Sequence, residues 1–369
     1  MEVPPLEILL FYITRLCNMG CLHCFVPTLS LKSLSDSKKR TFTTEIPFEV
    51  ITRVISEATE LGLRFCKFTG GEPFVRKNDV LRATEFCARK GILVSYDTNL
   101  TLINEDDVKF LRELGNVKRI SVSLDYASAD SFDKFRKYPG AFNTVINNIR
   151  LLRKYDIDVL IMASIYMDNL NEIPALTKIA KELGVQILFQ PILGLGRAKI
   201  FLQDRLIVDR DSKLETIKFI NAFIDKVVEA YNEYPGNVYA HLPMALLATR
   251  GVKYLALAHT KCPWKNMLAI LWDGSVAPCA VGISKPETII GNVMKESIKE
   301  IWSSRRGYLA IRDIKPQEFK GVCSKCIFAK YCGGFCIAYS YEKYGDYTMS
   351  NPICQTYFEM GQFPKEFLI

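Results

Sequence analysis

Histidine is scarce in this chain: 369 residues hold three, His23, His241 and His259. Imidazole is the usual general base near neutral pH, so chemistry that depends on it has little to draw on. His241 and His259 read as structural. Long apolar runs are missing too. No stretch of about 18 apolar residues occurs, which excludes a helical membrane span. The opening Met1-Glu2-Val3-Pro4-Pro5 lacks the basic start and cleavage site of a secretory signal, and the apolar Leu6 to Tyr12 is short enough to be a buried strand. The cytoplasm is the expected compartment. No Lys/Arg block with interleaved aromatics stands out, so the formal charge of +8 is a weak argument for nucleic acid. With 49% apolar and 24% charged residues the composition is that of an ordinary globular protein, and the length allows two or three modules.

Cysteine is what the chain has in plenty. There are twelve, and in an expected reducing compartment that number argues for metal rather than disulfides. Cys66 and Cys87 stand alone and read as buried small hydrophobes. The other ten fall into spaced groups. The first is Cys17-Asn18-Met19-Gly20-Cys21-Leu22-His23-Cys24. Three thiolates at these spacings can occupy three corners of one 4Fe-4S cube. Complete four-Cys ligation suits electron transfer, whereas a missing fourth ligand leaves an iron open to a small molecule. A zinc site, or plain buried cysteines, is the alternative. Zinc wants a fourth His or Cys close by, and His23 lies too near its neighbours to complete that geometry easily.

Hydrophobic periodicity then alternates between strand and helix. Strands are expected at 6–14, 64–69, 92–96, 119–124, 158–164 and 185–190. Helices are expected at 48–61, 79–89, 105–114, 142–154 and 172–183. Alternation implies a parallel sheet. Six units over about 190 residues are too few for a full eight-unit barrel, which takes about 250. The expected fold is α/β, a partial (β/α)6 TIM-like barrel over residues 1–200. A helical bridge over 201–260 follows, with one long helix from Asp211 to Tyr234 and a second helical segment from Pro243 to Ala258. Pro27 to Thr44 reads as an exposed loop. In such barrels the site lies at the C-terminal ends of the strands.

At those ends stand Gly70-Gly71-Glu72-Pro73, Asp97-Thr98-Asn99, Ser123 with the later Arg136, and Leu193-Gly194-Leu195-Gly196-Arg197-Ala198. Two glycines let backbone approach a ligand closely. A glutamate can accept from an ammonium group, and an arginine fork matches a carboxylate. Each also has an ordinary reading as a turn, a strand-end polar group or a surface arginine. From Cys262 the composition shifts. The order C-x11-G-x4-C (Cys262, Gly274, Cys279) is followed by C-x2-C-x5-C-x3-C (Cys323, Cys326, Cys332, Cys336) and a final Cys354. Trp272-Asp273-Gly274 looks like a turn between two short strands, a hairpin that would bring Cys262 and Cys279 close.

The first cysteine group, with His23 in an aromatic slot, resembles the signature of radical S-adenosylmethionine (SAM) enzymes. The later order resembles the SPASM domain, a C-terminal extension of such enzymes that binds auxiliary 4Fe-4S clusters, here residues 261–369. The resemblance implies three 4Fe-4S clusters and SAM. Cys17, Cys21 and Cys24 would hold the cluster that cleaves SAM. Cys323, Cys326, Cys332 and Cys354 would hold an outer auxiliary cluster. Cys262, Cys279 and Cys336 would hold an inner one that lacks a fourth cysteine. Gly70, Gly71 and Glu72 would bind the SAM amino group, Asn99 would lie near the ribose, Ser123 and Arg136 would hold the carboxylate, and the Leu195 backbone would lie near adenine.

Ten ligating thiolates offset by three cubes would lower the holo charge to about +4, compatible with docking an acidic electron donor such as ferredoxin or flavodoxin. The expected reaction is hydrogen abstraction from a peptide, leading to oxidation or crosslinking. With Cys17 so early no N-terminal peptide-recognition domain is expected, and a separate recognition protein is expected to replace it. Ala280 stands where sulfatase-maturing relatives carry Asp, which disfavours protein-hydroxyl oxidation. The alternatives are a haem-pathway porphyrin side-chain decarboxylase and a non-catalytic iron–sulfur electron carrier.

Overall fold

The computed structural model describes residues 4–30, 45–202, 212–258, 262–304 and 311–369. Most of the expected loop at 27–44, the Asp211 start of the long helix, and His259 lie outside the described residues. In chain order the main elements are β1 (Ile8–Thr14), α1 (Phe48–Thr59), β2 (Phe65–Gly70), α2 (Lys77–Arg89), β3 (Leu93–Thr98), α3 (Glu105–Leu114), β4 (Val117–Ser123), α4 (Ala129–Arg136), α5 (Ala141–Lys154), β5 (Val159–Ile165), α6 (Ile173–Glu182), β6 (Gln186–Pro191), α7 (Lys213–Glu233) and β7 (Val238–Ala240). After these come β8 (Met267–Ile270), β9 (Ser275–Ala277), β10 (Gly291–Asn292), α8 (Ile298–Ser303), α9 (Ile337–Tyr344) and α10 (Pro352–Glu359). All six expected strands and all five expected helices are present, each within about two residues of its expected ends. The class is the expected α/β one.

Two compact units divide the chain. The first comprises residues 1–123, 128–160 and 264–312; the second comprises 124–127, 161–263 and 313–369. Within the first, the strand order is β10-β9-β8-β1-β2-β3-β4. Strands β8, β1, β2, β3 and β4 are parallel, and β9 and β10 are added antiparallel. Strand β8 comes from the cysteine-rich end of the chain, yet it pairs with β1 through Ile8↔Met267 to Phe11↔Ile270. Gly274 turns β8 into β9 at φ +83, as the Trp272-Asp273-Gly274 reading expected.

The helix-facing side of this sheet explains its stability. Leu9, Phe11 and Ile13 of β1 are wholly buried, as are Cys66 and Phe68 of β2 and Val94 and Tyr96 of β3. Fully burying one such side chain is worth about 1.5–3 kcal/mol. Against them α1 sets Ile51, Val54, Ile55 and Ala58, and α2 sets Val80, Ala83 and Cys87. Helix α3 is closed at both ends, by the Asn104–Asp107 capping box and by Gly115 at φ +67. Cys66 and Cys87 are buried as expected but do not stand alone: their thiols contact each other, and burial above all, then this contact, pushes the Cys66 thiol up.

In the second unit the strands follow the order β5-β6-β7, with β6 and β7 parallel. Helix α7 buries Ile217, Ile220, Phe223, Ile224 and Val227 on one stripe, and Leu214 is exposed in the first turn. The second helical segment is two short pieces, Met244–Ala248 and the 3-10 turn Val252–Leu257, parted at Gly251. Among the described residues no helix is long and apolar enough to cross a membrane.

Candidate active site

The end of β1 and the cysteine loop are pinned by the Gly70-Gly71-Glu72 segment. Gly71 N–H donates to Thr14 O (2.7 Å) and Glu72 N–H to Leu16 O (2.8 Å). A Cβ on Gly70 would stand 2.4 Å from Thr14 O, and one on Gly71 would stand 2.2 Å from Leu16 O. Here the missing side chains admit the chain's own backbone, the segment that leads into Cys17. Arg76 ties the same region down. Its guanidinium donates to Ile13 O (3.0 Å) and Ile46 O (2.9 Å) and pairs with Asp79.

Glu72 is 1% exposed. Its Oε1 accepts from Phe74 N–H (3.1 Å) and Thr98 Oγ1–H (2.6 Å), and its Oε2 from Asn99 N–H (2.7 Å). A carboxylate has about four acceptor positions, so room remains for one further donor. Burial raises the carboxyl pKa to about 7, against the lowering effect of those three donors.

Asn99 bridges this carboxylate to the cysteine loop. Its Nδ2 donates to Asn18 Oδ1 at 2.8 Å and lies 4.0 Å from Cys17 Sγ, while its Oδ1 accepts from Thr101 N–H and Oγ1–H. Asn18 Nδ2 donates to Thr101 Oγ1 (2.8 Å), closing the network. Met19 N–H points at Cys17 Sγ (3.4 Å). Burial pushes the Cys17 thiol up, and the Glu72 charge adds to it.

The other side of the loop rests on the C-terminal end of α4. Gly20 N–H donates to Arg136 O, Leu22 N–H donates to Phe135 O, and His23 stacks on Phe135 at 4.8 Å. Arg136 is 5% exposed and aims Nη1 at Cys21 Sγ (3.5 Å). Cys24 packs against Tyr12, Val26, Ala269 and Leu271. The Tyr12 phenol is pushed up by burial and then by Cys279 and Asp97. Ser123 ends β4, half-buried. Leu195 lies after β6 in the second unit, its N–H donating to Leu193 O (2.8 Å).

Reading by motif missed Thr101 and gave Asn18 no role. Asn18 lies inside the cysteine motif and Thr98 beside Asn99, but only folding makes them one network.

The second unit holds its own thiol group. Burial raises the Cys354 thiol well above its ordinary value, followed by the charges of Cys323, Cys332 and Cys326. Burial also raises Cys332, to about 12, with Cys323 and Cys326 adding to it. The four thus lie within charge range of one another. Cys336, at the start of α9, feels burial and two backbone N–H groups but none of the four. Cys279 belongs to the first unit, and Cys262 and Cys336 to the second.

Among the described residues no three His, Cys, Asp or Glu side chains converge as ligands of a single metal ion. In a cube each thiolate takes a different iron, so the sulfurs of such a set stand farther apart. The donor chemistry fits a cluster: soft thiols, with N–H groups of Met19 and Arg136 aimed at sulfur.

Comparison with known proteins agrees. Residues 11–179 match the model of the radical SAM superfamily, and residues 262–327 match SPASM, an iron–sulfur cluster-binding domain. The AdoMet-dependent heme synthase of Methanosarcina barkeri (strain Fusaro / DSM 804) is 27% identical over 93% of this chain and 94% of its own. The PqqA peptide cyclase of Methylocella silvestris (strain DSM 15510) is 25% identical over 94% of this chain and 86% of its own. The solved structure of hexahistidine-tagged anSMEcpe with bound AdoMet superposes with a TM-score of 0.67 at 21% identity, over 98% of this chain and 93% of that one. The heme synthase and the peptide cyclase are enzymes, and the electron-carrier reading falls away. The chain is a radical SAM enzyme, a member of that superfamily with a C-terminal SPASM iron–sulfur cluster-binding domain.

Proposed function

We propose that this enzyme cleaves SAM reductively and abstracts a hydrogen atom from a peptide, which is then oxidised or crosslinked. The observation that carries the cleavage step is the set of donors around one loop. Arg136 and Met19 address two sulfurs, Asn99 lies near one of them, and Glu72 keeps one acceptor position behind them. When bound, a 4Fe-4S cluster on Cys17, Cys21 and Cys24 together with SAM supplies the 5′-deoxyadenosyl radical. The chain's part is to hold and shield. Glu72 offers its remaining acceptor position to the SAM ammonium. Ser123 and Arg136 take its carboxylate, Asn99 faces the ribose, and the Leu195 backbone meets adenine. Gly70 and Gly71 shape the loop that presents these groups.

Two further clusters complete the reading, an outer one on Cys323, Cys326, Cys332 and Cys354 and an inner one on Cys262, Cys279 and Cys336. Clusters held there would supply an acceptor for the electron that the substrate radical loses when it is oxidised. An acidic ferredoxin or flavodoxin delivers the starting electron, a separate recognition protein presents the peptide, and the enzyme works in the cytoplasm, where thiols stay reduced. Support for a peptide substrate comes from the peptide cyclase relative.

A second reading, decarboxylation of a porphyrin side chain, is supported by the heme synthase relative, which aligns over nearly all of both chains.

The test is anaerobic reconstitution, iron and sulfide counts, and 5′-deoxyadenosine formation with dithionite, beside a Cys17/Cys21/Cys24 triple Ala variant. Deoxyadenosine from the wild type alone is expected. Equal amounts from both would end the radical reading. Trials with peptides and with iron coproporphyrin III then separate the two substrates.

A further inference from the structure

The sheet of the first unit has a second face. Cys66, Phe68 and Tyr96 point to the helices; Tyr96 Oη bonds Thr84 of α2, and Cys66 touches Cys87 of α2. Side chains alternate along a strand, so their neighbours Lys67, Ser95 and Asp97 share the opposite face. The register lines up Leu10↔Lys67, Lys67↔Ser95 and Ser95↔Arg119 in one row, and places Asp97↔Ser121 in the next.

The interior of an α/β barrel is normally packed with Val, Ile and Leu. This row instead carries two cations and a hydroxyl. The Lys67 Nζ to Asp97 Oδ1 distance is 3.0 Å, with the side chains 29% and 31% exposed. That contact lacks hydrogen-bond alignment, because Asp97 Oδ1 has no aligned donor. Ser95 is 4% exposed, and its hydroxyl has no partner. Arg119 is half-buried and has no ion-pair partner among the described residues. Charged groups inside a protein are costly unless paired or wet. The face is therefore a wet, net cationic surface with an unpaired cation and a vacant hydroxyl, built to meet an anion.

We propose that this face binds a carboxylate of the substrate. Arg119 receives it with its two-pronged fork, and Ser95 donates its free hydroxyl. Lys67 adds the second charge, with Asp97 holding it in place while the face is empty. Lys67 lies three residues before Gly70 and Arg119 four before Ser123, roughly 10–13 Å of strand from the ends where SAM is placed. The carboxylate is thus an anchor remote from the reacting carbon, and these residues determine specificity. The inference deepens the reading above and uses it only to bring substrate to this face. A porphyrin propionate or an acidic peptide side chain offers the same chemistry.

Equilibrium binding to reconstituted enzyme tests it, with two probe pairs. One is iron coproporphyrin III against its tetramethyl ester; the other is a hexaglutamate peptide against hexaglutamine. One acid is expected to bind, its neutral twin at least about tenfold more weakly. Arg119→Gln should weaken the acid by about ten- to a hundredfold, and Arg119→Lys should recover part of that. If Arg119→Gln fails to fold by circular dichroism, Lys67→Met serves in its place. The porphyrin or the peptide pair responding identifies the source of the carboxylate. Binding of neither acid, equal binding of acid and twin, or no effect of the substitution overturns the proposal. Because binding needs no turnover, carboxylate binding without SAM cleavage would overturn the radical reading and leave this one standing.

Discussion

Nη1 of Arg136 lies 3.5 Å from Sγ of Cys21, inside a region where the arginine is 5% exposed. The planar fork of such a buried guanidinium also suits a carboxylate. Replacing Arg136 by Gln should weaken SAM binding by about ten- to a hundredfold, the usual loss for a hydrogen bond to a charged group. Lys keeps the charge without the fork and should fall between. Isothermal titration of SAM into reconstituted protein checks both. Equal affinity for all three would remove Arg136 from the SAM site.

Gly71→Ala isolates the steric role of the glycine pair. Its Cβ would stand 2.2 Å from Leu16 O and 2.8 Å from Leu16 C, atoms of backbone that cannot swing aside. The cysteine loop must shift, and iron retained after reconstitution should drop by about four atoms per chain, one cube. Gly91→Ala is the control. It is strained by φ +69 but meets nothing within 4 Å, so it should cost only about 1–2 kcal/mol and keep its iron.

Glu72 gives a pH signature. Its carboxyl is raised to about 7 from 4.5 by burial. The native state therefore keeps a proton that the unfolded chain has already released, and the associated stability, complete below about pH 4.5, is lost as pH rises through about 7. Binding of a cationic ammonium needs the ionised form. SAM affinity should accordingly rise between about pH 6 and 8 and level off, whereas Glu72→Gln should show no such rise. A flat wild-type profile would mean that Glu72 serves only Phe74, Thr98 and Asn99.

Removal of single thiols separates the three proposed cubes. Cys354→Ala should lower the iron count from about twelve to about eight per chain, with SAM still bound. Cys66→Ala and Cys87→Ala should keep about twelve, since these thiols meet only each other and the core, although burying a smaller side chain should lower the thermal midpoint. An unchanged count in Cys354→Ala would place the fourth outer ligand elsewhere.

Asn18→Ala should loosen the cysteine loop without touching a proposed ligand. It leaves Asn99 Nδ2, buried beside Cys17, without its 2.8 Å acceptor. An unsatisfied buried donor costs about 1–3 kcal/mol. Faster loss of iron to a chelator, with the initial iron count unchanged, is the expected result.

The strands, the helices and the two cysteine groups were legible in the chain because each is written in short-range spacing. Periodicity of two or about four, a glycine after a helix, and thiols three or four residues apart need no distant partner to be recognised. What spacing leaves open is which distant residues meet. Strand β8, 259 residues after its partner in β1, joins the parallel sheet because its Met267–Ile270 run is buried on both faces. Only folding sets Asn18 against Asn99, closes Gly71 onto Leu16, and fills three of the acceptor positions of Glu72. The same holds for Cys66 and Cys87, isolated along the chain yet in contact behind β2. The row of Lys67, Ser95 and Arg119 exists only once register is set, because a slip of one residue would send each of those side chains to the other face.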